Sequence, residues 1–202
     1  MMKERNETKT INETPALRRL GPSVLATHSA NKATIAALAL LLGGGLAALA
    51  AGSGNDNRAP EVPAGIAVPV GNKVHFHAFA VGVQIYTWDG VSWGRAVPEA
   101  TLFHADGVVA IHFAGPTWES NSGSKVVGAL AKPPFTVDPN AIPWLLLSAV
   151  TTEGPGIFAD TTYIHRVNTT GGKAPVADGA FVGQVARVPY TADYFFYRRT
   201  NN

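Results

Sequence analysis

From residue 73 onward the chain alternates with a period of two. Val74, Phe76, Ala78 and Ala80 fall on one parity, His75, His77, Phe79 and Val81 on the other, and after Gly82 the run resumes from Val83 to Trp88. Such alternation predicts strands, because successive side chains of an extended backbone point to opposite faces. Asp89-Gly90 follows at once and reads as a two-residue hairpin turn, since a type I′ turn needs positive φ at both central residues. That register sets Trp88 opposite Val91, Tyr86 opposite Trp93 and Gln84 opposite Arg95. Tyr86 and Trp93 would then form a cross-strand aromatic pair, worth roughly 0.2–1 kcal/mol. Asp106-Gly107 offers a second such turn, pairing Ala105 with Val108, Phe103 with Ala110 and Thr101 with His112.

Gly115-Pro116 ends the next strand, and the polar run Asn121-Ser122-Gly123-Ser124 precedes another, over 126–131. Asp138-Pro139 suits the cap and first residue of a short helical turn, which Pro143 keeps brief. Residues 144–150, 157–167 and 185–197 read as further strands, separated by Glu153-Gly154-Pro155-Gly156 and Gly171-Gly172. The result is roughly seven to ten strands in a mostly antiparallel meander. The expected fold is all-β, a single antiparallel β-sandwich or closed β-barrel with few short helical turns.

The segment before these strands has a different character. Residues 32–52 are uncharged and apolar apart from Lys32 at their start, follow a basic flank, and contain Ala48-Leu49-Ala50, the small-x-small pattern cut by signal peptidases. Residues 1–50 are therefore expected to be an export signal cleaved after Ala50, with an uncleaved membrane anchor as the alternative. Arg18-Arg19 is followed by Leu20-Gly21-Pro22, a poor twin-arginine context, so general secretion to the periplasm or exterior is expected. Residues 51–72 read as a Pro/Gly/Ala-rich spacer and 73–202 as one β domain.

Charge changes meaning at the expected cut. Of 16 Lys/Arg and 14 Asp/Glu, six and three lie in residues 1–50, leaving ten and eleven, a net of −1. Without a Lys/Arg cluster to displace phosphate counterions, nucleic acid is not an expected partner. The chain has no Cys, so no disulfide supports it; about 150 residues suffice to bury a core unaided.

The blocks at 80–86, 98–103, 112–119, 142–147, 163–172 and 188–194 are dense in Gly, Pro and aromatic residues, as in His112-Phe113-Ala114-Gly115-Pro116-Thr117-Trp118-Glu119. Over residues 62–198 the chain resembles the family known as domain of unknown function 3455. The resemblance implies an exported β-rich domain and lends no catalytic residue. Relatives often carry Cys near the position of Trp88 and again before the final strand; here both are absent, and 175–184 contains none. Some relatives bear a malate dehydrogenase label, but the Gly-rich strand-to-helix turn of a nicotinamide enzyme is missing, and the dense cluster Gly43 to Gly45 lies in the export signal. No cofactor is expected.

His112, Trp118 and Glu119 form the leading candidate site, because a Gly-Pro bend after the imidazole can return an indole and a carboxylate to the same strand end. Lys125, Tyr86 and Trp93 complete the candidate ligand-binding set. The competing reading makes Trp118 an apolar plug and pairs Glu119 with Lys125. His75 and His77, in a His-x-His pattern, are the only metal candidates; no metal site is expected, because the Asp106-Gly107 register puts His104 and His112 on opposite faces. Arg166, Asn168, Tyr190 and Asp193 suggest a second polar cluster. Ser124, His112 and Asp138 lack any nucleophile-elbow context and are not read as a triad. The expected function is a non-catalytic binding module for a small molecule, glycan or envelope partner. The alternatives are a hydrolase or metal-dependent enzyme using His112 and Glu119, or a structural surface protein.

Overall fold

The computed structural model describes residues 58–200 apart from position 106; the expected export signal and its cleavage point lie outside the described residues. Eight strands follow one another as an antiparallel meander and close into a barrel. They are β1 (Asn72–Thr87), β2 (Val97–His104), β3 (Gly107–Phe113), β4 (Thr117–Ser120), β5 (Lys125–Leu130), β6 (Leu145–Glu153), β7 (Tyr163–Gly171) and β8 (Val185–Arg199). Between sandwich and barrel, the fold is the barrel. A 3-10 turn at Ala64–Ile66 is the sole helical element among the described residues. Asp138 makes only a turn, accepting from Asn140 N–H at 2.7 Å through its carboxylate and from Ala141 N–H at 3.2 Å through its carbonyl.

The long ladder between β1 and β8, from Asn72 opposite Arg199 to Thr87 opposite Val185, closes the barrel. Both strands alternate as the sequence predicts. Ala78, Ala80, Tyr190, Ala192, Tyr194 and Phe196 point into the core. Small residues on β1 to β3 leave room for the large rings of β8 and β4 to cross the interior. Gly82 belongs to this inner row: a Cβ there would collide with the backbone of Glu99 and Ala100.

An eight-stranded barrel has an interior just wide enough for side chains or one small ligand, and the two ends use it differently. At one end the connection between β6 and β7 folds inward, and the fully buried Phe158 plugs the lumen against Phe76 and Phe196. Its N–H donates to Ser124 Oγ at 3.3 Å, and Ser124 also bonds Ser120 at 2.8 Å. Residues 157–162, expected as the start of a strand, are this plug. The strand itself starts at Tyr163 because a Phe needed inside the lumen cannot also lie in the wall.

Residues 58–71, within the expected spacer, lie on the outer wall. Ile66 is buried and its carbonyl accepts from His165 Nε2 at 2.7 Å, while Val62 and Val68 pack with Val74, Val167, Phe195 and Tyr197.

Both expected hairpin registers are corrected. At Asp89-Gly90 the opposed residues are Trp88 and Trp93, with ring centroids 5.4 Å apart, in place of Tyr86 and Trp93. A type I′ turn requires positive φ twice, and of this pair only Gly90 has it, at 102°. Asp89 instead accepts from Val91 N–H at 2.8 Å and Ser92 N–H at 2.7 Å, an Asx turn that spreads the loop over four residues. At the second turn His104 pairs with Gly107, and a bulge shifts the register so that Ala100 faces His112 and Leu102 faces Ala110.

Candidate ligand-binding site

The end opposite Phe158 is open. A cavity of about 630 Å³ enters the lumen there, between the start of β2, the β3–β4 bend, the end of β5 and the start of β6. Its floor is built by direct strand pairing. His112 on β3 faces Trp118 on β4, and their rings stack with centroids 4.3 Å apart and planes within 5°. Gly115, at φ 106°, makes the bend that allows so short a return. Tyr194 meets both rings edge-on.

His112 Nδ1 donates to Thr117 O at 2.8 Å, which fixes the tautomer and leaves Nε2 as an acceptor. Burial pushes its pKa down to about 3, the Thr117 hydrogen bond opposing and the Arg166 charge adding to the fall. The imidazole is neutral at ordinary pH. Burial likewise raises the phenols of Tyr190 and Tyr194, which stay protonated.

Arg166 enters from β7, opposite Tyr194. Its Nε and Nη2 donate to Pro143 O at 3.3 and 2.8 Å. Gln84 enters from β1. Its Nε2, like Trp118 Nε1, is buried with no hydrogen-bond partner in the structure. Pro98, Leu130, Pro134, Leu145 and Leu147 supply apolar wall. The arrangement is an apolar cup with hydrogen-bond donors and one half-buried cation, the composition of a small-molecule site.

Of the residues named from sequence, His112 and Trp118 line this cavity together. Glu119 and Lys125 do not. Strand alternation turns Glu119 outward, where it pairs with Lys125 at 3.4 Å, and Lys125 also reaches Glu153 at 3.9 Å. Tyr86 is buried behind the site, donating to Gly172 O at 2.6 Å, and Trp93 donates to Ala177 O at 2.9 Å. The segment before β8 also packs Gly179 on Trp88, and Trp88 exchanges backbone hydrogen bonds with Gln184 and Gly183.

The bulge in β3 places His104 and His112 on one face, against the expected register. They sit about 13 Å apart, four residues along a strand at roughly 3.3 Å each, and bond different carbonyls, His77 O and Thr117 O. His75 falls at a bulge in β1 and meets Thr161, whereas His77 pairs with Asp193 at 2.8 Å. Among the described residues no three His, Asp or Glu side chains are grouped to hold a metal ion. The second polar cluster divides by face: Asn168, in a left-handed conformation at φ 51°, donates to Asp193 outside, and Arg166 turns inside.

Sequence reasoning missed Gln84, Tyr194 and the siting of Arg166. Their parity could have located them, since Gln84 continues the row of Ala78, Ala80 and Gly82, and Arg166 continues that of Ile164.

A family described as a protein of unknown function (DUF3455) has a model that matches residues 103–198, strands β3 to β7 entire and most of β8. No curated protein and no solved structure matches the chain.

Proposed function

We propose that this chain, similar over residues 103–198 to the DUF3455 family, is a binding module that holds a small organic molecule in the open end of the barrel. One observation carries the proposal: the buried donors of Gln84 and Trp118 meet no partner in a chain whose other end is plugged by Phe158. Unpaired buried donors are costly, and a ligand acceptor would relieve that cost. The apolar walls supply contact area, and the stacked His112 and Trp118 give the ligand a rigid aromatic floor. The outward position of Glu119 favours binding over acid–base catalysis by a His112–Glu119 pair.

We place this function outside the cytoplasm, on the strength of residues 32–52 and Ala48-Leu49-Ala50. A mature N-terminus at Ala51, read by mass spectrometry, is the expected result; intact residues 1–50 in a membrane fraction would establish an anchor.

The binding reading is tested by a thermal-shift screen of small organic compounds against the wild type and Leu145→Trp, which fills the cavity from its wall. Compounds that stabilise the wild type should lose that effect in the variant. Equal stabilisation of both proteins would refute a site in the barrel mouth.

A further inference from the structure

We propose that the molecule held in the barrel mouth is an anion on an apolar body, its acidic group set against Arg166 and the donors of Gln84 and Trp118. This rests on the binding function proposed above and names the ligand's chemical class.

The cavity lining includes two arginines, Arg95 and Arg166, and no Asp or Glu. Arg95 is exposed at the rim, whereas Arg166 is half-buried. Among the described residues no carboxylate lies within ion-pair distance of Arg166, and its guanidinium holds the Pro143 carbonyl instead. A cation drawn into low-dielectric surroundings without a counter-ion is costly, and a bound anion offsets that cost. Arg is also the side chain whose planar fork best matches a carboxylate or similar oxyanion.

The two unpartnered donors agree in sign. Trp118 Nε1 and the Gln84 amide nitrogen are donors only, both buried and unpartnered. His112, neutral and bonded to Thr117 O, adds one uncharged acceptor, Nε2, which can take a hydrogen bond from the ligand but brings no negative charge against it. An ammonium would meet Arg166 as a like charge and find the donors pointing the wrong way. The apolar wall from Pro98 to Leu147 suits a hydrocarbon or aromatic body, so free inorganic anions would leave most of the cup unused.

Two fluorescent probes with one aromatic body separate the charge from the shape. 1-Anilinonaphthalene-8-sulfonate is anionic, and N-phenyl-1-naphthylamine is its neutral counterpart. The folded wild type should bind the anionic probe at least about tenfold more tightly, the scale of one charge-assisted hydrogen bond. Arg166→Met should abolish that preference while binding of the neutral probe changes little, and Arg166→Lys should keep part of it. Gln84→Leu, which leaves the Arg166–Pro143 contact alone, should weaken only the anionic probe. Equal affinity for the two probes in the wild type would overturn the anion proposal and leave the binding function standing, as would a preference that survives in folded Arg166→Met. If Arg166→Met fails to fold, the wild-type ratio and Gln84→Leu decide. Binding of neither probe would overturn both.

Discussion

His112 makes the barrel's stability depend on pH in a way that one substitution can isolate. The ring is 3% exposed, is stacked on Trp118, and has its pKa pushed down to about 3 from 6.5. A histidine whose folded pKa is depressed takes up its proton in the unfolded chain first. Its contribution to stability is therefore complete above about pH 6.5 and is lost as pH falls toward 3. One proton of difference corresponds to about 1.4 kcal/mol per pH unit, so the loss between pH 6.5 and 5 should be about 1.5–2 kcal/mol. His112→Gln is the chosen perturbation. Its amide can still donate to Thr117 O, and it does not titrate. Urea unfolding of both proteins across pH 4.5–7.5 cancels what they share, including His75, whose pKa burial lowers to about 4, His165 and the carboxylates. The variant should be the less stable at pH 7.5, having lost the stacked ring, and the gap should narrow by about 1.5–2 kcal/mol from pH 6.5 to 5. Parallel curves would refute a buried neutral imidazole.

Three further perturbations probe the frame of the site. Phe158→Ala should cost about 3–5 kcal/mol in denaturant unfolding, the usual loss for an emptied aromatic core position; a loss under about 1 kcal/mol would mean the loop does not plug the lumen. Gly90→Val puts a β-branched residue at φ 102° and 3.1 Å from Val182, and should lose about 1–3 kcal/mol, read from the shift of the unfolding midpoint. Lys125→Met should change stability by less than about 1 kcal/mol, as for other surface ion pairs, and should leave ligand-induced thermal shifts unchanged; a lost shift would return Glu119 and Lys125 to the site.

The barrel was legible in the sequence wherever alternation alone decided the outcome. The inward row of β1 illustrates this: Ala78, Ala80 and Gly82 share one parity, and the same parity carries Gln84 to the cavity. Register was less legible because it turned on single backbone angles. One positive φ at Gly90, where two were needed, moved the aromatic pair from Tyr86–Trp93 to Trp88–Trp93. One extra residue in β3 reversed the expected relation of His104 to His112. The candidate site was half legible for a similar reason. His112 and Trp118 meet because they are cross-strand partners, but the carboxylate one residue on must face the other way. Phe158 was hidden because an apolar run bounded by glycines looks the same whether it forms a wall or folds inside one.

The ladder between β1 and β8 has a consequence for how the molecule is made. The strand that seals the cylinder spans Val185–Arg199, and its partner spans Asn72–Thr87. A chain growing from its N-terminus can form each neighbouring hairpin as it emerges, yet both outer edges stay unpaired until the last strand arrives. Tyr190, Tyr194 and Phe196, three of the five large rings buried in the interior, come with that strand. Nascent chains therefore have neither a closed wall nor a filled centre, and their folding is governed by one late, long-range encounter. Until then the chain remains an open ribbon, available to whatever machinery handles it during synthesis.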